Sequence, residues 1–131
     1  MRDPRPGIGW SKRRVAIRAA YATYMASPEW YRSRERWLEA WRASHLGSDP
    51  VCLVCGQAWK LWRGDLHHRT YARLGHEDFR DLAPLCYRDH LCLHAILEGI
   101  PAWRRLPRSQ ATAMIIALLQ DRAGGTEKSN E

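Results

Sequence analysis

The sequence predicts an α+β fold, with helices at both ends of the chain and short strands in an irregular middle. The chain has 131 residues, enough for one compact domain, and its apolar fraction of 45% excludes a fully disordered chain. Helical periodicity occurs near both ends, whereas glycines interrupt residues 51–86. No run of eighteen apolar residues is present, so we expect no membrane span. The absence of an apolar signal-peptide stretch predicts a cytoplasmic protein.

Two helices are predicted in the N-terminal third. Over residues 12–26, apolar side chains recur at helical spacing. A second helix, over residues 28–45, begins at a cap formed by Ser27 with Pro28 in the first turn. It aligns three tryptophans on one face: Trp30, Trp37 and Trp41. This stripe predicts packing against the core.

The remaining elements are shorter and more widely spaced. Three strands are predicted, over residues 57–62, 65–68 and 82–85. A third helix follows over residues 87–98, and Ser109 is the predicted cap of a fourth. The chain is therefore divided into five parts: a flexible tail (1–10), a basic helical extension (11–46), a core (47–100), a C-terminal helix (101–123) and a disordered tail (124–131).

The charge is unevenly distributed along the chain. The net charge of +7 divides into +6 on residues 1–46, −1 on residues 47–100 and +2 on residues 101–131. A strongly basic flank predicts a polyanionic partner, nucleic acid foremost. The nearly neutral middle contains all four cysteines and five of the six histidines. Such a composition suits a segment that holds cations.

One set of candidate metal ligands combines cysteines with a carboxylate. Cys52-x2-Cys55 places two thiolates on one tight turn, where both can reach the same zinc ion. Cys86 and Asp89, at the start of the third helix, supply a second pair. Cys92 is the alternative fourth ligand, but its direction on the helix favours the buried face, so Asp89 is preferred. In a cytoplasmic chain this pattern favours structural zinc over disulfides.

The second set is built from histidines. His90 and His94 stand four residues apart on one helical face, where two imidazoles can reach one metal ion. His67 and His68 alternate on a predicted strand and therefore point to opposite faces. One of the pair can join the helical histidines as a third ligand. The other is then free to act as a general base beside the metal.

Taken together, these motifs resemble those of the HNH endonucleases, the ββα-metal nucleases. The resemblance is closest to the small, phage-associated type with a zinc-binding cysteine frame. It covers about half of the chain and continues through segments outside the two ligand sets: Ser27-Pro28-Glu29-Trp30, Leu66-His67-His68-Arg69-Thr70-Tyr71, Leu74-Gly75-His76-Glu77, Asp81-Leu82 and Leu85-Cys86. It implies a ββα-metal, treble-clef-like core with flanking N-terminal and C-terminal helices.

The resemblance also implies a role for each matched residue. His68 stands where the family keeps its general base, and His67, His90 and His94 match its catalytic metal positions. Asp81 stands where the family has an asparagine that braces the loop and orients the base. Asp81 departs from this pattern because an ionised carboxylate cannot donate hydrogen bonds. Asp89 is the second departure, since the family has a cysteine there.

The function expected from this resemblance is hydrolysis of DNA phosphodiester bonds. One catalytic divalent metal (Mg²⁺, Mn²⁺, Ni²⁺ or Zn²⁺) would act with His68, while a separate structural Zn²⁺ holds the cysteine frame. Three arginines near the histidines in sequence are candidates for DNA contacts: Arg63, Arg69 and Arg73. The basic N-terminal helices could also follow the DNA backbone, which would make the affinity for DNA dependent on salt.

Two alternatives remain open at the level of sequence. One is a catalytically silent zinc-binding module that interacts with DNA or protein. The other is a nuclease subunit that acts only within a larger phage DNA-processing complex. The apolar helix at residues 110–122 fits either packing within one chain or a homodimer contact.

Overall fold

A computed structural model describes the backbone of residues 8–129 and the side-chain environment of residue 12 and residues 15–124. Over these residues the fold is mixed α+β, with four α-helices and one two-stranded antiparallel sheet. The elements follow the order α1 (Ile8–Met25), α2 (Pro28–Ser44), β1 (Asp65–His68), β2 (Leu82–Leu85), α3 (Tyr87–Gly99) and α4 (Arg108–Ser129). Searched over the same residues, no helix is long and apolar enough to cross a membrane.

The helix boundaries follow local capping signals. Ser27 accepts a hydrogen bond from the backbone N–H of Trp30 at 3.2 Å, and Pro28 occupies the first turn of α2, which confirms the predicted start. Cys86 caps α3 in the same way, with its sulfur accepting from the backbone N–H of Asp89. Helix α1 begins at Ile8, before the predicted residue 12. Residues 1–7 of the predicted tail lie outside the described residues.

Strands β1 and β2 pair with a register that sorts their side chains onto two faces. His67 pairs with Ala83, and His68 pairs with Leu82. Because neighbouring residues of a strand point to opposite faces, His67 and His68 separate, as predicted. The sheet therefore carries one histidine into each of two environments.

Each face of the sheet packs on its own apolar cluster. The first cluster is centred on Trp30, Trp37, Trp59, Leu66 and Leu82, and Trp41 is partly buried against it. This cluster confirms the predicted packing of the tryptophan stripe. The second joins the other face to α3 and α4 and consists of Cys52, Ala83, Leu85, Leu93, Leu97, Ala111, Ile115, Ile116 and Leu119. Helix α4 thus buries one face within the same chain, while Met114 and Leu118 remain exposed.

Two predicted elements differ in the structure. Residues 57–62 do not form a strand: they make a single bridge between Ala58 and Val51, because the chain turns at residues 61–63 and Gly64 bonds back to Lys60. Ser109 does not cap the fourth helix. The helix begins at Arg108, so Ser109 lies inside its first turn, and the backbone N–H of Ala111 bonds the carbonyl of Pro107 at 3.0 Å.

The fourth helix is also longer than predicted. It continues past residue 123 and through the glycines to Ser129, where the sequence predicted a disordered tail from residue 124. Extending an existing helix adds one hydrogen bond per residue and avoids the cost of nucleation. The last two residues of that tail lie outside the described part of the chain.

Candidate functional site

Three cysteines and an aspartate converge between the turn at residues 52–55 and the start of α3. The donor atoms of Cys52, Cys55, Cys86 and Asp89 all lie within 4.8 Å of one another. Cys52 Sγ and Cys86 Sγ are each 3.2 Å from Asp89 Oδ2, and the sulfurs of Cys55 and Cys86 are 3.9 Å apart. This cluster could hold a metal ion, and three thiolates with a carboxylate are suitable ligands for zinc.

Local backbone geometry assembles this cluster. Gly56 has a φ of +78°, a left-handed conformation that glycine adopts without strain, and its N–H bonds the carbonyl of Cys52 at 2.9 Å. The turn is attached to the sheet because the N–H of Leu53 bonds the carbonyl of Pro84 at 3.0 Å. Cys86 and Asp89 then belong to the first turn of α3.

The protonation pattern of the cluster also suits a cation. Burial raises the pKa of Cys52 and raises that of Cys86 to about 12, so both thiols keep their protons when no cation is bound. Burial also disfavours the charged form of Asp89, but hydrogen bonds from the three thiols of the cluster outweigh it and lower the pKa of the carboxyl. The thiols therefore donate to an ionised carboxylate, and a divalent cation would take the place of these protons.

Cys92 lies outside this cluster. Its side chain is exposed, contrary to the prediction that it faces the core. The buried face of α3 is defined by Asp89, Leu93 and Leu97, and Cys92 is turned about 100° from Leu93. The preference for Asp89 over Cys92 as the fourth member of the cluster is confirmed.

Three histidines form a second cluster between β1 and α3. The ligand atoms of His67, His90 and His94 lie within 4.8 Å of one another, and His90 Nε2 is 3.1 Å from His94 Nε2. His67 is fully buried, and its Nδ1 atom has no hydrogen-bond partner. A buried ring nitrogen without a partner is costly, and a metal ion bound between the three rings would supply the missing interaction.

The outer nitrogen of each ring is fixed by a polar side chain. The three hydrogen bonds join His67 Nε2 to Thr112 Oγ1 (3.0 Å), His90 Nδ1 to Asp65 Oδ2 (2.9 Å) and His94 Nδ1 to Glu98 Oε2 (2.8 Å). Such partners orient metal-binding imidazoles and set their tautomers. They leave one nitrogen of each ring for the centre of the cluster.

The electrostatics of His67 keep it in the form that binds metals. Burial lowers its pKa to about 2, and the positive charge of Arg108 adds to this effect. The ring is therefore neutral at physiological pH. Neutral imidazole is the form that ligates a metal ion.

His68, on the opposite face of β1, belongs to a different environment. Its Nε2 atom lies 2.9 Å from Glu77 Oε2, and both side chains are almost fully buried. The ring stacks on Trp30 with centroids 5.0 Å apart, and Tyr21 of α1 meets it edge-on at 6.1 Å. His68 is thus held in one orientation by a carboxylate and by aromatic rings.

Glu77 is ionised and His68 is neutral in this pair. Burial disfavours the charged carboxylate, but hydrogen bonds from His68 and Tyr24 more than offset this effect and lower the pKa of Glu77. Tyr24 Oη donates to Glu77 Oε1 at 2.7 Å. Burial lowers the pKa of His68, partly opposed by Glu77. The neutral ring therefore donates its Nε2–H to Glu77 and leaves Nδ1 as an acceptor.

Asp81 braces the loop between the strands and does not bond the imidazole of His68. Its carboxylate pairs with Arg73, which is the main cause of its lowered pKa, and it accepts from the backbone N–H of Asp78 at 2.9 Å. Its carbonyl accepts from the N–H of Arg69, the residue after His68, at 2.7 Å. Asp81 therefore supports the backbone on both sides of the loop, at Arg69 and at Asp78.

The three arginines predicted to contact DNA have different surroundings in the structure. Arg73 is engaged by Asp81, and Arg63 is exposed with its guanidinium 5.1 Å from the ring centroid of Trp62. Arg69 is half-buried, and burial lowers its pKa; it lines one surface cavity together with Phe79. Each therefore occupies a separate position on the molecule.

Three residues near the histidines received no role from the sequence: Glu77, Thr112 and Arg108. Glu77 belongs to a segment of the HNH resemblance, and its carboxylate could have indicated a partner for a histidine. Thr112 and Arg108 lie on α4, far along the chain from the histidines, and no sequence signal connects them to the site. Helix α4 reaches His67 through Thr112 and the backbone of His68 through Arg108.

No match was found when the chain was compared with protein-family models, with characterised proteins and with solved structures. The function is therefore inferred from the site itself.

Proposed function

We propose that this protein is a metal-dependent endonuclease of the HNH type that hydrolyses phosphodiester bonds in DNA. In this proposal β1, β2 and α3 form the ββα-metal core. One observation carries the proposal: adjacent residues of β1 place His67 in a cluster of three imidazoles and His68 against a buried carboxylate. A metal-binding group and a general base are thus fixed on either side of one backbone.

His68 is the proposed general base. Its neutral ring accepts a proton from water at Nδ1, and the water oxygen attacks phosphorus as the bond to the 3′ oxygen breaks. The resulting imidazolium keeps its Nε2–H on Glu77, whose negative charge lies 2.9 Å away. Glu77 therefore orients the ring and stabilises its charged form, as the carboxylate of a catalytic triad does.

His67, His90 and His94 would hold the catalytic metal. The unpartnered Nδ1 of His67 and the fixed outer nitrogens of all three rings support this assignment. When bound, a divalent cation supplies Lewis-acid stabilisation of negative charge on the phosphate oxygens. Three imidazoles favour transition metals, whereas Mg²⁺ prefers oxygen ligands. Mn²⁺, Ni²⁺, Zn²⁺ and Mg²⁺ are the ions to compare.

The cysteine cluster is proposed to hold a structural Zn²⁺. Its ligands join the turn at residues 52–55 to Cys86 and Asp89 in the first turn of α3. The next residue is His90, so zinc at this place would fix the helix that presents two of the three imidazoles. The separate positions of the two clusters support separate structural and catalytic roles.

DNA is the proposed partner, and the cytoplasm is the proposed location. The charge of +6 on residues 1–46 favours a polyanion, and the side chain of Tyr21 connects this basic extension to His68. A phage DNA-processing complex and a homodimer remain the proposed larger assemblies.

The test is cleavage of supercoiled plasmid with each of the four metals and with a chelator. We expect metal-dependent cleavage that His68→Ala reduces by at least about 100-fold, since general bases contribute 10²–10⁴-fold. His45→Ala, which removes an exposed imidazole that belongs to neither cluster, is the matched control. A His68→Ala variant that cuts at the parent rate would show that another group activates the water.

One observation favours a second candidate, the catalytically silent zinc-binding module. His68 is only 2% exposed beneath aromatic side chains, an environment that also suits a structural histidine. The same assay separates the two functions. A purified protein that contains zinc, binds DNA and cuts no plasmid with any metal would favour the silent module.

A further inference from the structure

Helix α4 contributes two polar side chains to the end of β1. Thr112 Oγ1 bonds His67 Nε2 at 3.0 Å, and Arg108 Nε donates to the carbonyl of His68 at 2.9 Å. Arg108 and Thr112 stand four residues apart, so they share one face of the helix. One turn of α4 therefore contacts both histidines of β1, one through its ring and the other through its backbone.

The guanidinium of Arg108 is held in place, but one of its nitrogen atoms has no hydrogen-bond partner. Its Cζ atom lies 4.4 Å from the ring centroid of Tyr71, and its Nε is engaged by the backbone of His68. Its Nη2 atom is buried and has no hydrogen-bond partner. Within the part of the chain whose side chains are described, no carboxylate forms an ion pair with Arg108. A buried, charged donor without a partner is costly, and a bound anion would supply the missing interaction.

The position of this charge relates it to both histidines. After burial, the positive charge of Arg108 lowers the pKa of His67 more than His90 or His94 does. The same charge also lowers the pKa of His68. The guanidinium, bonded to the backbone of His68, is therefore next to the strand that carries both histidines. An anion bound there would be adjacent to both proposed catalytic functions.

We propose that Arg108 binds a non-bridging oxygen of the phosphodiester through Nη2 and is a catalytic residue of this site. The inference rests on the proposed function for the identity of the anion. A planar guanidinium matches the geometry of phosphate oxygens, and its charge is permanent. Because Nε is fixed on the carbonyl of His68, a phosphate bound at Nη2 would keep a fixed position relative to the strand that carries the proposed base.

The interaction between Arg108 and the phosphate would become stronger during the reaction. Attack of water on phosphorus increases the negative charge on the non-bridging oxygens. A preorganised cation at that position stabilises the transition state more than the bound substrate. Loss of Arg108 should therefore lower the rate of the chemical step as well as the affinity for phosphate.

The first test is single-turnover cleavage of duplex DNA by Arg108→Gln and Arg108→Lys. Arg108→Gln keeps a donor for the carbonyl of His68 but removes the charge, and we expect a loss of about 100-fold. Arg108→Lys should retain part of the rate, because its ammonium is a point charge without the guanidinium fork. Arg105→Ala, which removes an exposed arginine nearby, is the matched control, and we expect its rate within about twofold of the parent rate.

The second test measures anion binding without cleavage. Inorganic phosphate is titrated into the metal-loaded protein by calorimetry, with the metal content of each variant measured in parallel. We expect Arg108→Gln to weaken phosphate binding at least about tenfold, the loss of one charged hydrogen bond, while both metals are retained. Arg105→Ala should bind phosphate like the parent.

The outcomes distinguish this inference from the proposed function. Arg108-dependent phosphate binding in a protein that cuts no DNA would support the anion site and contradict the nuclease. Cleavage and phosphate binding that Arg108→Gln leaves equal to those of Arg105→Ala would overturn the role of Arg108 and leave the nuclease intact. A parent protein that binds no phosphate would also overturn the anion site.

Discussion

His68 and Glu77 form a buried pair in which the imidazole Nε2–H donates to the carboxylate at 2.9 Å. Both side chains are at most 2% exposed, so the charge of Glu77 is poorly screened by solvent. Tyr24 and Ser33 donate to the other carboxylate oxygen at 2.7 and 3.3 Å. Glu77 is thus fixed from both sides, and it fixes the ring and tautomer of His68 in turn.

Substitution of Glu77 by Gln should lower cleavage and shift its pH dependence. The carboxylate raises the pKa of His68 against the effect of burial, so its removal lowers that pKa further. A general base must be neutral, and the acidic limb of the rate profile follows its pKa. We therefore expect the limb to move to lower pH in Glu77→Gln, with a plateau reduced about 100-fold because the imidazolium loses its counter-charge.

The measurement is the rate of plasmid cleavage between pH 4.5 and pH 8 at fixed metal concentration. Glu35→Gln, which alters an exposed carboxylate of α2, is the matched control and should leave the limb in place. An acidic limb that stays at the same pH or moves to higher pH in Glu77→Gln would contradict the pairing of Glu77 with the proposed general base.

Metal content should respond separately to changes in the two clusters. We expect elemental analysis to find two metal ions per chain in the parent protein. Cys55→Ser should lose zinc from the cysteine cluster, and His94→Ala should lose the other metal while zinc remains. Cys92→Ser is the control for Cys55→Ser, since Cys92 is exposed and lies outside the cluster. Loss of both metals from His94→Ala would mean that the two clusters do not bind independently.

Much of this site follows from spacing along the sequence. The i, i+4 relation of His90 and His94 and the alternation of His67 and His68 are local geometric rules, and the structure confirms both. The two predicted groups of candidate ligands also form two separate clusters in the structure. Local rules suffice here because each pair lies within a single helix or strand.

The partners of these histidines were not predictable in the same way. Glu77 lies in a loop without periodicity, and Thr112 and Arg108 reach the site only because α4 packs across the sheet. Threonine and arginine are also common on helix surfaces, so their residue types carry little signal. The strand predicted at residues 57–62 is absent for a local reason, since the chain turns at residues 61–63 and leaves a single bridge between Ala58 and Val51.

Thr112 should affect metal binding at the proposed three-histidine site through its hydrogen bond to His67. Its hydroxyl bonds His67 Nε2, and the nearly isosteric Thr112→Val removes that bond with little change in volume. Loss of such an outer partner weakens metal binding about 10- to 100-fold, so we expect the catalytic metal to dissociate at correspondingly lower chelator concentration. Zinc in the cysteine cluster should be unaffected. Competition with a metal-sensitive dye measures both, and an unchanged affinity would show that the Thr112 hydroxyl does not support the ligand.

Gly64 should be intolerant of any side chain, because its neighbour Trp59 occupies the space. A Cβ atom built on Gly64 would overlap the indole ring, which is 2% exposed and donates from Nε1 to the carbonyl of Asp65 at 2.8 Å. Displacing a buried ring typically costs about 1–3 kcal/mol of folding free energy. Asp65 Oδ2 also bonds His90 Nδ1, so the displacement should reach the proposed metal site.

We therefore expect Gly64→Ala to lower the free energy of unfolding by about 1–3 kcal/mol in urea titrations and to weaken the catalytic metal. Gly99→Ala is the matched control, because nothing lies within 4 Å of its Cβ position at the end of α3. Its stability should differ from the parent value by no more than about 1 kcal/mol. Equal stabilities for the two variants would show that Trp59 can move at little cost. The start of β1 would then owe its position to contacts other than the Trp59 indole.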